Sequence, residues 1–126
     1  MTAAPIDPGV RIGHVHLKVA DIDRALGFYC GVLGFEVTVR AYPGALFVSA
    51  GGYHHHIGLN TWHSAGAPPV PPGALGLRSF DVVLPTAQAL EAVLGRVRQA
   101  GLEEEPQAEG ILVRDPSGNG VLLRAA

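Results

Sequence analysis

"GHVHLKVADIDRALGFYCGVLGFEV", residues Gly13–Val37, changes its hydrophobic period twice. At its start the residues alternate: Val15, Leu17 and Val19 fall on one face of an extended chain, and Ile12, His14, His16 and Lys18 on the other. Alternation of this kind predicts a strand with one buried face. From Ile22 the spacing lengthens. Ile22, Ala25, Leu26, Tyr29 and Leu33 recur three and four residues apart, which predicts a helix. Asp21 is placed to accept from the amides of its first turn, and Gly34 suits the left-handed stop.

The chain beyond repeats this order. Extended runs follow at 35–40, 45–50 and 54–60, separated by Tyr42-Pro43-Gly44 and Gly51-Gly52. Residues 63–76, "HSAGAPPVPPGALG", read as a Pro- and Gly-rich linker. A second strand, 77–85, then leads into a second helix, 86–101, with Thr86 as N-cap and Gly101 as stop. An extended piece near 102–106 and strands 109–115 and 119–125 complete the set. The prediction is an α+β fold of two tandem βαβββ modules, 11–62 and 77–126, joined by the 63–76 linker within a single domain over 1–126. Each module contributes a cupped, mixed or antiparallel sheet with its helix outside.

Composition narrows the function classes. A chain of 126 residues with 48% hydrophobic and 16% charged residues forms one folded domain rather than a disordered chain. A net charge of -2 without a basic cluster excludes a nucleic-acid partner. The single Cys30 allows no intrachain disulfide and reads as packing on the first helix. No apolar run reaches membrane-spanning length, and "MTAAPIDPGV" has no signal-peptide pattern, so the expected location is the cytoplasm.

Three of the six histidines stand in a row in "YHHHIGLNTW", Tyr53–Trp62. If 54–60 is a regular strand, His54 and His56 face one way and His55 the other, so the three imidazoles cannot meet on one ion. Tyr42, Phe47, Tyr53 and Trp62 read as core or as the aromatic wall of a small-molecule site.

The opening stretch, with its Phe-Tyr and Leu-Gly-Phe pairs, and "VRDPSGNGVLL" (113–123) at the far end resemble the vicinal oxygen chelate superfamily. That superfamily comprises glyoxalases, bleomycin resistance proteins and extradiol dioxygenases. "YHHHIGLNTW" and "GLRSFDVVLP" look closest to a bacterial glyoxalase- or catechol-dioxygenase-like branch. The resemblance implies four ligand positions, on the first and last strands of each module, for a divalent ion such as iron, manganese, nickel or zinc. It also implies a homodimer and a small-molecule ligand held in the sheet cup. Matched by position, His14 and His56 fill the first two places, and Ser79 and Leu122 stand in the others. A hydroxyl is a poor ligand for such an ion and an aliphatic chain is none.

The resemblance therefore implies a small-molecule-binding member with a degenerate metal site. His16, His54, Trp62, Asp81 and Arg124 are candidates to contact the ligand. The alternatives are a metal-dependent lyase or extradiol-type dioxygenase with His14 and His56 as ligands, and a metal-free isomerase or epimerase in which one of those two is the general base.

Overall fold

The computed structural model describes residues 4–41 and 43–126, so the expectation for Tyr42 lies outside the described residues. The first module runs β1 (Val15–Lys18), α1 (Ile22–Leu26), β2 (Glu36–Ala41), β3 (Ala45–Ser49) and β4 (Ile57–Asn60). The second runs β5 (Phe80–Leu84), α2 (Ala87–Gln99), β6 (Glu105–Pro106), β7 (Ile111–Arg114) and β8 (Gly120–Ala125). Each module makes one four-stranded mixed sheet, ordered β1-β4-β3-β2 and β5-β8-β7-β6. The first and last strands of each module pair in parallel, and the remaining pairs are antiparallel.

The helix starts follow from their caps. Asp21 is extended and its carboxylate accepts from Arg24 N at 2.9 Å; the Thr86 hydroxyl accepts from Ala89 N at 3.0 Å. The first helix departs from the regular period expected of it. After Leu26 it widens into a π-helical turn over Gly27–Val32, with Leu33 N donating to Phe28 O. Within that turn the adjacent Phe28 and Tyr29 are both buried, their rings edge-to-face with centroids 4.8 Å apart. Gly34, at φ 93°, ends it. From the other module, Arg96 closes the exposed carbonyls: Nε donates to Val32 O at 2.8 Å and a terminal nitrogen to Leu33 O at 2.9 Å.

One hydrophobic cluster spans both modules. Leu17, Leu46, Val48, Ile57 and Leu59 enter it from the first sheet, Val113, Val121 and Leu123 from the second, and Leu94 and Val97 from α2. Each buried aliphatic side chain is worth about 1.5–3 kcal/mol. Exposed ion pairs such as Arg40–Asp23 and Arg114–Glu105 contribute about 0–1 kcal/mol each, so the core dominates.

The two motif strings at opposite ends of the chain meet in a buried polar joint. Tyr29 Oη donates to Asp115 Oδ2 at 2.8 Å, and Asn119 Nδ2 donates to the same oxygen at 2.9 Å. Asp115 Oδ1 accepts from the amides of Ser117 and Asn119. Ser117 Oγ accepts from Ala20 N, and Asn119 Nδ2 also donates to Lys18 O. Burial first, and the Asp115 carboxylate second, raise the Tyr29 pKa well above that of an ordinary phenol, so Tyr29 stays protonated. The Pro-rich segment is tied to this joint as well, through Gly66 N to Ala20 O and Val70 N to Ser117 O. Among the described residues no helix is long and apolar enough to cross a membrane.

Candidate functional site

Because Leu17, Ile57, Leu59, Val121 and Leu123 point into the core, their strand neighbours occupy the opposite, open face of each sheet. On β1 and β4 these are His16, Lys18, Gly58 and Asn60; on β5 and β8 they are Asp81, Val83, Leu122 and Arg124. Register pairs His16 with Gly58 and Lys18 with Asn60. In the second module it pairs Asp81 with Leu122 and Val83 with Arg124. The duplication thus makes His14 equivalent to Ser79, His16 to Asp81, Gly58 to Leu122 and Asn60 to Arg124.

A diagonal polar pair crosses each open face at equivalent places. In the first module Asn60 Nδ2 donates to His16 Nε2 at 2.7 Å, while Asn60 Oδ1 accepts from Trp62 N at 3.1 Å. In the second, Arg124 Nε donates to Asp81 Oδ2 at 2.8 Å. Asp81, a candidate contact of the small-molecule ligand, is thereby engaged as the partner of a cation.

These equivalences correct the expected position on the fourth strand. The counterpart of Leu122 is Gly58, two residues beyond His56. No ligand can come from a glycine side chain, and the His16 ring already fills that space: its Nδ1 lies 2.6 Å from where a Cβ on Gly58 would stand. The four positions therefore hold His14, Gly58, Ser79 and Leu122. One imidazole and no carboxylate do not fit the family's divalent ion.

A second correction concerns the histidine triplet. The strand begins at Ile57, so His54, His55 and His56 lie in the loop that Gly51 and Gly52 turn at φ 68° and 80°. Alternation does not govern such a loop, and His55 does not point away from its neighbours' partners. His14, His54 and His55 each offer a nitrogen, all within 4.8 Å of one another. The His14 and His55 rings lie 4.3 Å apart between centroids, and those of His54 and His55 4.6 Å. Partial burial, then the neighbouring imidazoles, lower the His55 pKa, which favours the neutral ring. His56 is used otherwise. Its Nδ1 accepts from Ala50 N at 3.1 Å, so in the neutral ring the proton sits on Nε2 and no lone pair is left for a metal.

A cavity of about 550 Å³ opens between the modules. Its wall is largely apolar, including Phe35, Ile57, Phe80 and Val82, with His14, His56 and Asp81 as polar points. Of the five proposed ligand contacts only Asp81 lines it. His16 and Trp62 stand together on the first open face, their ring centroids 6.3 Å apart, and Trp62 Nε1 donates to Pro43 O. His54 belongs to the imidazole cluster, and Arg124 is held by Asp81. Ser79 and Leu122 line a second, more polar cavity of about 460 Å³, with Arg78, Glu105 and Arg114. No local signal in the sequence marks the larger cavity: its wall residues carry the same strand and helix patterns as core residues.

Comparison with known proteins agrees with this architecture. Over 107 residues the chain is 51% identical to the catechol-2,3-dioxygenase of Bacillus subtilis (strain 168), covering 83% of this chain. It spans only 37% of that relative's length. The fold is shared with a lactoylglutathione lyase from Agrobacterium tumefaciens, with a TM-score of 0.72 at 20% identity over 95% of this chain and 96% of that one. A glyoxylase/bleomycin resistance protein/dioxygenase domain from Frankia sp. EAN1pec matches with a TM-score of 0.73 at 18% identity, over 93% and 98% of the two chains. The model of one family matches residues 11–123, nearly the whole duplicated unit, and the chain belongs to it: the Glyoxalase/Bleomycin resistance protein/Dioxygenase superfamily.

Proposed function

We propose that the chain binds a small, largely apolar organic molecule without a metal ion at the family's ligand positions. The cavity between the modules carries this reading. At about 550 Å³, with apolar walls and the few polar points His14, His56 and Asp81, it has the size and chemistry of a small-molecule site. The relative's name makes catechol the first probe, because a hydroxylated ring matches apolar walls with imidazole and carboxylate at their edge. Isothermal titration of catechol into chelator-treated protein should give saturable binding. Val83 is 46% exposed at the cavity wall, so Val83→Trp should abolish that binding while leaving the fold intact. Binding unaffected by Val83→Trp would sink the assignment to this cavity.

The 51% identity favours a second reading, 2,3-dioxygenation of a catechol, as the relative's name says of that protein. It predicts oxygen uptake on catechol that depends on added iron(II). Oxygen uptake would replace the binding-only reading, whereas binding without uptake would remove the oxygenase.

A further inference from the structure

We infer that His14, His54 and His55 form a three-imidazole site for a borderline divalent cation, with zinc as the reference ion. It shares only His14 with the family's ligand positions and does not depend on the small-molecule reading. Two backbone hydrogen bonds build it. Val15 N donates to His56 O at 3.0 Å and His56 N to Val48 O at 2.9 Å, which fixes the exit of the 50–56 loop against the start of β1. Gly13 lets the loop settle there, because any side chain at 13 would press on the Tyr53 hydroxyl, 3.0 Å from its Cβ position. The Tyr53 ring lies beside both His54 and His56, with centroids 4.2 and 4.6 Å away. His54 and His55 are thereby carried over His14.

The five clustered histidines divide by their bonding. His16 is held by Asn60 and His56 by Ala50. No hydrogen bond among the described residues engages the rings of His14, His54 or His55. Those three keep their lone pairs, and their nitrogens already lie within 4.8 Å of one another. Zinc–imidazole bonds of about 2.0–2.1 Å in a tetrahedron need nitrogens roughly 3.4 Å apart, a closure that side-chain torsions supply. His14 and His54 are exposed, so the ion reaches the site from solvent. With imidazole ligands and no carboxylate, the set suits zinc, nickel or copper over iron or manganese. Bound there, the ion would clasp the 50–56 loop to β1 and keep a fourth position for water.

Untagged protein is titrated with Zn²⁺ by calorimetry and with Co²⁺ by visible absorption. The expected result is one ion per chain and a thermal midpoint that rises with ion concentration. His54→Ala and His55→Ala should each weaken binding at least as much as losing a ligand's outer partner does, on the order of tenfold or more, and His63→Ala should leave it unchanged. Should a variant misfold by circular dichroism, imidazole ¹⁵N shifts of the unmodified protein identify the ligating rings directly. Absence of binding, binding indifferent to His54→Ala and His55→Ala, or shifts confined to His16 and His56 would overturn the site.

Discussion

Removing one hydroxyl from the joint between the modules tests why the family strings are there. Tyr29 is fully buried and Asp115 is 4% exposed, and their 2.8 Å bond joins α1's π-turn to the β7–β8 turn. A hydrogen bond to a charged acceptor is worth about 1.5–3 kcal/mol. Tyr29→Phe leaves Asp115 Oδ2 its bond from Asn119 Nδ2, so a loss of about 1.5–2 kcal/mol is expected, toward the lower end of that range. A chain of this length loses roughly 4 °C of Tm per kcal/mol, which gives a drop of about 6–8 °C. Asp115→Ala should cost more, above about 3 kcal/mol, because it strands the Tyr29 hydroxyl and the amides of Ser117 and Asn119 together. Urea unfolding followed by circular dichroism reads both losses. The pH dependence supplies an independent sign. Tyr29's folded pKa is raised above its unfolded value of 10.0, so its contribution is complete below that pH. As pH rises past it, only the unfolded state releases the proton, and stability falls. Wild type should therefore lose stability faster than Tyr29→Phe above pH 10.0. A Tyr29→Phe variant within about 0.5 kcal/mol of wild type, the scatter of an ordinary surface change, would refute the joint's role.

Three further outcomes follow from other contacts. Arg96→Ala removes both donors from the Val32 and Leu33 carbonyls and should cost about 1–3 kcal/mol in urea unfolding, with faster amide exchange at the end of the first helix. Gly58→Ala would place a methyl where the His16 ring stands, so the His16–Asn60 bond should break; the His16 imidazole resonances report it. Ser79→His combined with Leu122→Glu puts an imidazole and a carboxylate on one wall of the smaller cavity, and zinc affinity there should rise, measured in a His14→Ala background.

The fold was legible because its information is local and repeated. Period changes at Ile22 and Phe35, caps at Asp21 and Thr86, and glycine stops at Gly34 and Gly101 each act within a few residues. The π-turn was not legible, since Phe28 and Tyr29 suit a regular helix equally well and only burial of both rings separates the two. The motif letters were visible as a resemblance, but their work was not: Tyr29 and Asp115 are 86 residues apart, and only the folded chain shows that they bond.

The candidate site was harder to read for a related reason. Alternation assigns faces correctly inside a strand, and it sets His16 opposite the buried Leu17. It fails outside, in the loop that Gly51 and Gly52 turn ahead of β4. The triplet lies just outside that boundary, so the same three letters yield one imidazole bonded to Ala50 and two that lie near His14. Duplication then settles what the strand pattern could not. Counting from the parallel registers places Gly58 opposite His16 just as Leu122 stands opposite Asp81. Neither residue, a glycine and a leucine, offers a ligand atom at that position. In each, a polar pair across the sheet, His16–Asn60 in one and Asp81–Arg124 in the other, now occupies the open face. The imidazole of the first pair and the carboxylate of the second are thereby engaged, whereas no hydrogen bond among the described residues engages the rings of His14, His54 or His55.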